Sequence, residues 1–179
     1  MEPLRIAVII GSTREGRVGD RIGRWFVSRA ERRDGVALRL LDLVEYDLPA
    51  RYPKAPTAQV TAFTAEVGRA EAFVVVTPEY NRSFPASLKQ AIDFAYDEWR
   101  AKPVGFVSYG HRSDGVCAVE QLRPVFTELH AVTMRDGVRL DLMYDRLDED
   151  DHAVTAMLDQ LTWWGLALRE ARAARPYVS

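Results

Sequence analysis

Residues 73–95 read FVVVTPEYNRSFPASLKQAIDFA, and three kinds of chain follow one another within them. Phe73-Val74-Val75-Val76 is a short, unbroken apolar run rich in β-branched side chains, the pattern of a strand buried on both faces of a parallel sheet. From Ala86 onward, Leu88, Ala91, Ile92, Ala95 and Trp99 recur at helical spacing. Between them Pro78-Glu79-Tyr80-Asn81-Arg82-Ser83 is polar, with Pro78 and Pro85 at its borders. A loop leaving the carboxyl end of a central parallel strand is where open α/β sheets bind ligands. An acid, a phenol, an amide and a guanidinium at 79–82 make this loop a site candidate; the plain alternative is an ordinary βα turn bounded by prolines.

The same alternation extends in both directions. Leu4 to Ile10 reads as a first strand, followed by a helical stripe at Val18, Ile22, Trp25, Phe26 and Ala30. Val36 to Leu43 is a second strand, Tyr46 to Pro56 an irregular proline-rich loop, and Val60, Phe63, Val67 and Ala70 a second helix. After the central stretch come a fourth strand at Val104 to Ser108 and a helix with Ala118, Val119, Leu122, Val125, Phe126 and Leu129 on one face. Ala131 to Met134 begins a fifth strand with room to run to Val138 or Leu140, and the last helix turns Met157, Leu161, Trp164 and Leu168 inward. Strands separated by crossover helices, with no hairpin signature, predict a parallel sheet. The expected fold class is α/β, a flavodoxin-like three-layer α/β/α sandwich around a five-stranded parallel sheet of order 2-1-3-4-5. Residues 1–179 are expected to form a single domain, since no linker divides them.

Composition excludes several classes. A net charge of −2 argues against a general nucleic-acid binder and against strong attraction to a membrane surface. One cysteine, Cys117, precludes an intrachain disulfide, and His111, His130 and His152 lack metal-ligand spacing. No run has the length of a transmembrane helix and the start MEPLRIAVIIGS is unlike a signal peptide, so a cytoplasmic location is the expectation. The acidic residues Asp145, Asp148, Glu149, Asp150 and Asp151 suit solvent and the first turn of the last helix better than a metal. Cys117 to Arg123 matches C-x5-R but carries no glycine and fits a helical face. Trp99, Trp163, Trp164 and Tyr96 are expected on helices, in the core or at a dimer face.

Two further loops carry chemistry. Gly11-Ser12-Thr13-Arg14-Glu15-Gly16-Arg17-Val18-Gly19-Asp20 leaves a strand and enters a helix N-terminus, where glycines and backbone N–H groups cradle an anion. Ser12 and Thr13 offer hydroxyls, and Arg14 and Arg17 fork onto phosphate oxygens. The Gly11-to-Gly16 spacing matches a nucleotide P-loop, but Arg17 and Val18 replace its Lys and Ser/Thr, and no G-x-G-x-x-G is present. The loop therefore fits a monophosphate held without metal, such as that of FMN; a capped turn with solvated arginines is the alternative. Ser108-Tyr109-Gly110-His111-Arg112-Ser113-Asp114-Gly115 is small and polar, letting backbone approach a planar ligand, with Arg112 or N–H groups near its developing charge.

The segments GSTREGRVGDRIGRWF (11–26), TPEYNRSFPASLKQAIDFAYDEW (77–99) and KPVGFVSYGHRSDG (102–115) resemble, in that order and spacing, the NADPH-dependent FMN reductase family of flavodoxin-like proteins. The resemblance implies that Ser12, Arg14, Arg17 and the Val18-Gly19 backbone hold the FMN phosphate. It implies that Pro78, Glu79, Tyr80 and Asn81 lie along the isoalloxazine, and that Ser108, Tyr109 and Gly110 close its other side. It further implies homodimers or dimers of dimers, with hydride passing from NADPH to FMN and then to free flavin, quinones, azo compounds or metal oxyanions. No side-chain acid or base is implied, Tyr80 and Asn81 being neighbours of the ring. Relatives often carry a serine near position 17 and paired glycines where this chain has His111 and Asp114. Two other classes remain: a flavodoxin-type carrier serving protein partners, which surface acidity would favour, and a non-catalytic relative acting through protein contacts.

Overall fold

The computed structural model of the protein describes residues 2–143 and 151–178. Strands and helices alternate as β1 (Leu4–Ile10), α1 (Gly19–Ala30), β2 (Val36–Asp42), α2 (Ala58–Arg69), β3 (Ala72–Pro78) and α3 (Ala86–Phe94). They continue as β4 (Pro103–Gly110), α4 (Val116–Glu128), β5 (Val132–Thr133), β6 (Val138–Asp141) and α5 (Asp151–Ala174). The sheet is parallel throughout and ordered β2-β1-β3-β4-β5, with β6 also on β4. β3, fully buried, sits at its centre, as its unbroken apolar run requires.

Side-chain alternation splits the core into two layers. Ala7, Ile9, Phe73, Val75 and Phe106 face Phe63 of α2, Leu88 and Ile92 of α3, and Leu122 and Phe126 of α4. Ile6, Val8, Val74 and Val76 face Ile22 and Phe26 of α1 and Met157 and Leu161 of α5. The flavodoxin-like three-layer sandwich is thus the observed architecture.

The expected fifth strand is two short ones. β5 pairs with Pro103 and Val104, β6 with Val107 to Gly110, and the chain leaves the ladder between them at Arg135-Asp136-Gly137. The Met134 and Arg135 carbonyls released there are caught by Arg123 of α4, which donates to them at 2.8 and 3.2 Å and to the Thr133 hydroxyl at 3.2 Å. The C-x5-R pair accordingly lies on a helix.

The tryptophans divide. Trp99 is not on the α3 stripe: α3 stops at Phe94, Ala95 is extended, and Trp99 sits in a 3₁₀ turn, Asp97–Trp99. It is nevertheless fully buried, against Phe73 and Phe126, with Nε1 donating to Ile92 O at 3.1 Å. Trp163, Trp164 and Tyr96, expected in the core or at a dimer face, are 65%, 38% and 56% exposed and so lie outside the core. The buried line of α5 steps from Leu161 to Gly165, four residues on, not to Trp164. Gly165 is needed there because a Cβ would lie 2.6 Å from Leu4 Cδ2. Of the acidic stretch, Asp151 opens α5 and pairs with Arg29, whereas Asp145, Asp148, Glu149 and Asp150 lie outside the described residues.

Candidate functional site

Since β1, β3 and β4 are neighbours, the loops at their carboxyl ends meet. Their register places Ile10 beside Val76 and Pro78 beside Tyr109. The resulting cleft, about 320 Å³, is lined by Arg14, Arg17 and Val18 from the first loop, Pro78, Glu79 and Tyr80 from the second, and Tyr109 and Gly110 from the third. Glu15, Gly16, His111 and Leu142 complete it.

The first loop is tied down from three sides. Gly11 N donates to Val76 O at 2.9 Å and Ser87 Oγ of α3 donates to Gly11 O at 2.9 Å. Ser12 is fully buried, its hydroxyl 2.8 Å from the Tyr80 hydroxyl. The Arg17 guanidinium forks onto both carboxylate oxygens of Asp42 at 2.6 Å and donates to Ser12 O at 2.8 Å. That pair is 14% and 10% exposed, and the Asp42 hydrogen bond raises the Arg17 pKa above its ordinary value. Arg17 is therefore chiefly a fastener from the first loop to the end of β2. Thr13, Arg14 and Glu15 are exposed, and the loop reverses at Gly16, whose φ is +68°. Val18 stands at the N-cap of α1 and caps nothing with its side chain, so among the described residues the N–H groups of Gly19 and Asp20 stay open to an anion.

The second and third loops lock together. Glu79 N donates to Tyr109 O at 2.9 Å, while the Glu79 carboxylate accepts from Cys117 N at 3.1 Å. Glu79 thus caps the first turn of α4 with its carboxylate. Asn81 is exposed on the turn that follows, outside the cleft lining. Ser108 is fully buried and donates to Asp114 O at 2.7 Å, on the α4 side of the sheet. Tyr109 faces the other way. Its hydroxyl is buried, makes no well-formed hydrogen bond among the described residues although Ser12 is its polar neighbour, and lies beneath α1, where a Cβ on Gly19 would come within 2.6 Å of it. Burial raises its pKa, so the phenol is neutral at physiological pH.

The expected residues therefore fall into three groups. Arg14, Arg17, Val18, Pro78, Glu79, Tyr80, Tyr109 and Gly110 share the cleft; Ser12, Gly19 and Ser108 support it from beneath; Asn81 stands at its outer rim. Sequence reasoning missed Asp42, which fastens Arg17, and Leu142, which lines the cleft. For Asp42 the available signal was an acid closing an apolar strand at the sheet edge where ligands bind.

The family model described as NADPH-dependent FMN reductase matches residues 4–142. The chain belongs to the NADPH-dependent FMN reductase family. It is 35% identical over 130 residues to an NAD(P)H-dependent FMN reductase of Schizosaccharomyces pombe, a match covering 68% of this chain and 64% of that protein's length. A 2-hydroxy-1,4-benzoquinone reductase of a Burkholderia species is 28% identical over 90% of this chain and 96% of its own. Among solved structures, the flavoenzyme NAD(P)H:(acceptor) oxidoreductase FerB of Paracoccus denitrificans superposes with a TM-score of 0.71 at 21% identity, covering 93% of this chain and 98% of that one. This likeness concerns the fold. The match region of the family ends where β6 gives way to Leu142, so it contains all three loops of the cleft.

Proposed function

We propose that this protein is an FMN-dependent NAD(P)H oxidoreductase that reduces a small acceptor such as a free flavin, a quinone or an azo compound. The observation that carries the reading is the convergence of three loops on one cleft beside the uncapped N-terminus of α1. The residues present fit the cofactor. Arg14 and the first N–H groups of α1 suit its phosphate, the neutral Tyr109 phenol is a buried polar group in the cleft lining, and Gly110 lets backbone approach a planar ring.

Bound FMN would accept a hydride from the nicotinamide and hand electrons to the acceptor, chemistry that belongs to the cofactor. The side chains position and exclude. Tyr80, tethered to Ser12, forms a wall between the first and second loops. Asn81 offers an amide at the rim, and Arg17 holds the phosphate loop to β2. No side chain of the cleft is assigned a proton transfer.

Charge at the rim supports an anionic donor. Arg14, Arg82 and Arg112, on the loops after β1, β3 and β4, are exposed and have no ion-pair partner among the described residues. Such a rim favours the extra phosphate of NADPH over NADH and disfavours the flavodoxin-type carrier, whose basic partners need an acidic face. A homodimer or dimer of dimers, supported by the exposed Trp163 and Trp164 of α5, completes the reading. The single cysteine suits the cytoplasm.

The test is an anaerobic titration of the FMN-reconstituted protein with NADPH and then NADH, followed by visible flavin absorbance. Stoichiometric bleaching, faster with NADPH, is expected. A bound flavin that neither nucleotide bleaches would overturn the reductase reading, and failure to bind FMN would overturn the site.

A further inference from the structure

Between Tyr80 and Ser83 the β3 loop makes a two-residue reverse turn. Tyr80 N donates to Ser83 O at 2.8 Å and Ser83 N donates to Tyr80 O at 3.0 Å, an isolated antiparallel bridge. Its central residues, Asn81 and Arg82, have φ of 51° and 64°. Two consecutive left-handed residues define the turn type that normally takes Asn-Gly. Asparagine tolerates this region; arginine, with its Cβ and long side chain, disfavours it. Local sequence therefore does not account for the conformation at Arg82, and something outside the turn must select it.

Gln121 of α4 does so with both ends of its amide. Its Nε2 donates to Arg82 O at 2.7 Å and its Oε1 accepts from Ser83 Oγ at 2.6 Å. The backbone carbonyl can only accept, which fixes the orientation of the amide. One helical turn earlier, on the same side of α4, Cys117 N is held by Glu79, the residue just before the turn. The α4 helix thus grips the loop on both sides of Tyr80.

We propose that Gln121 is a positioning residue, which holds the Asn81-Arg82 turn left-handed and so fixes Asn81 and the turn's peptide groups against the flavin ring without touching it. This rests on the reading that FMN lies along residues 78–81. It predicts that Gln121 acts on the ring end of the cofactor and leaves phosphate binding to the first loop.

The test uses the full chain carrying Gln121→Ala, Gln121→Glu, and Gln121→Ala combined with Arg82→Gly. In the protein without FMN, exchange of the Ser83 amide hydrogen should quicken about tenfold in Gln121→Ala, the effect of losing a hydrogen bond. It should slow again in the double variant, because glycine accepts the left-handed region unaided. With FMN, Gln121→Ala should change the visible circular dichroism and the midpoint potential of the flavin. Its FMN dissociation constant should stay within about threefold of the parent, since charge-assisted phosphate contacts supply the larger part of binding. Gln121→Glu should behave like Gln121→Ala at pH 7, where a carboxylate has no hydrogen for Arg82 O. It should regain the parent's flavin spectrum only as the pH is lowered through about 4.3 and the carboxyl protonates, a dependence absent from the parent. Unchanged amide exchange, or an unaltered flavin spectrum and potential in Gln121→Ala, overturns the proposal. If no variant and not the parent binds FMN, the reading of the cleft fails, and the amide exchange alone decides whether Gln121 holds the turn.

Discussion

The two edges of the sheet treat charge in opposite ways. At the edge where the strands begin, ionic groups are buried and matched. Glu71, 6% exposed, accepts from Arg5 N at 3.1 Å and pairs with Arg5 Nη2 at 3.3 Å and Arg169 Nη1 at 3.5 Å. Lys102, 7% exposed, donates to Val67 O and Gly68 O at the end of α2, and Arg172 donates to Ala101 O. At the edge where the strands end, Arg14, Arg82 and Arg112 are exposed without ion-pair partners among the described residues. Charges in the first set hold elements together. Those in the second are free to meet a ligand, since fold stability makes no use of them. Arg17 crosses the division: it belongs to the ligand edge but is matched like the far one.

That exception is the place to break the comparison. Asp42→Ala would leave the Arg17 guanidinium largely buried with no acid, and removing one partner of a buried pair is far costlier than the pair is worth. A loss of about 2–3 kcal/mol is expected, scaled down from the fully buried case because water reaches both side chains. Urea unfolding measures it. The same variant should weaken FMN binding, because the phosphate loop loses its fastening to β2. A stable Asp42→Ala protein with parental FMN affinity would show that the first loop needs no fastening to β2.

The difference between these arginines marks the limit of what the sequence reveals. The β3-loop-α3 stretch was readable because a β-branched run, a polar interval and a helical stripe each have a period, and the alternation of such units implied the sheet order. That order alone brings the loops after β1, β3 and β4 together. Pairing Arg17 with Asp42 depends on the register that sets Ile10 beside Asp42, which no local pattern carries. Trp164 misled because helical spacing allows a step of three or four from Leu161, and the choice was made by the approach of Leu4 to Gly165. The fifth strand broke at Asp136-Gly137, turn residues whose signal was present but outweighed by the apolar residues around them. Gln121 left no trace, since a polar residue on an exposed helix face is what solvent also selects.

Lys102 sharpens the far edge. Burial lowers its pKa from 10.5 to about 8. The unfolded chain therefore binds more protons than the folded one between about pH 8 and 10.5, so stability rises with pH through that window, and below it the full cost of burying the charge is felt. Comparison with Lys102→Met isolates this contribution, because Tyr109, which ionises first in the unfolded chain and acts oppositely at high pH, cancels in the difference. The parent should gain about 2 kcal/mol on the variant between pH 7 and 10.5, measured by urea midpoints. A flat difference would mean that the ammonium is as well satisfied by the α2 carbonyls as by water.

Arg14→Ala tests the ligand edge and should show the smallest effect on the protein itself. Its guanidinium is exposed and makes no ion pair among the described residues, so removing it should move the unfolding midpoint by less than about 0.5 kcal/mol. Losing a charge-assisted contact to phosphate should instead raise the FMN dissociation constant about tenfold or more. Riboflavin, which has the ring but no phosphate, should bind parent and variant alike. Equal loss for both ligands would move Arg14 from the phosphate to the ring. No loss for either would leave the phosphate to the N–H groups of α1, and the free arginines at this edge would then be read as serving the donor and acceptor alone.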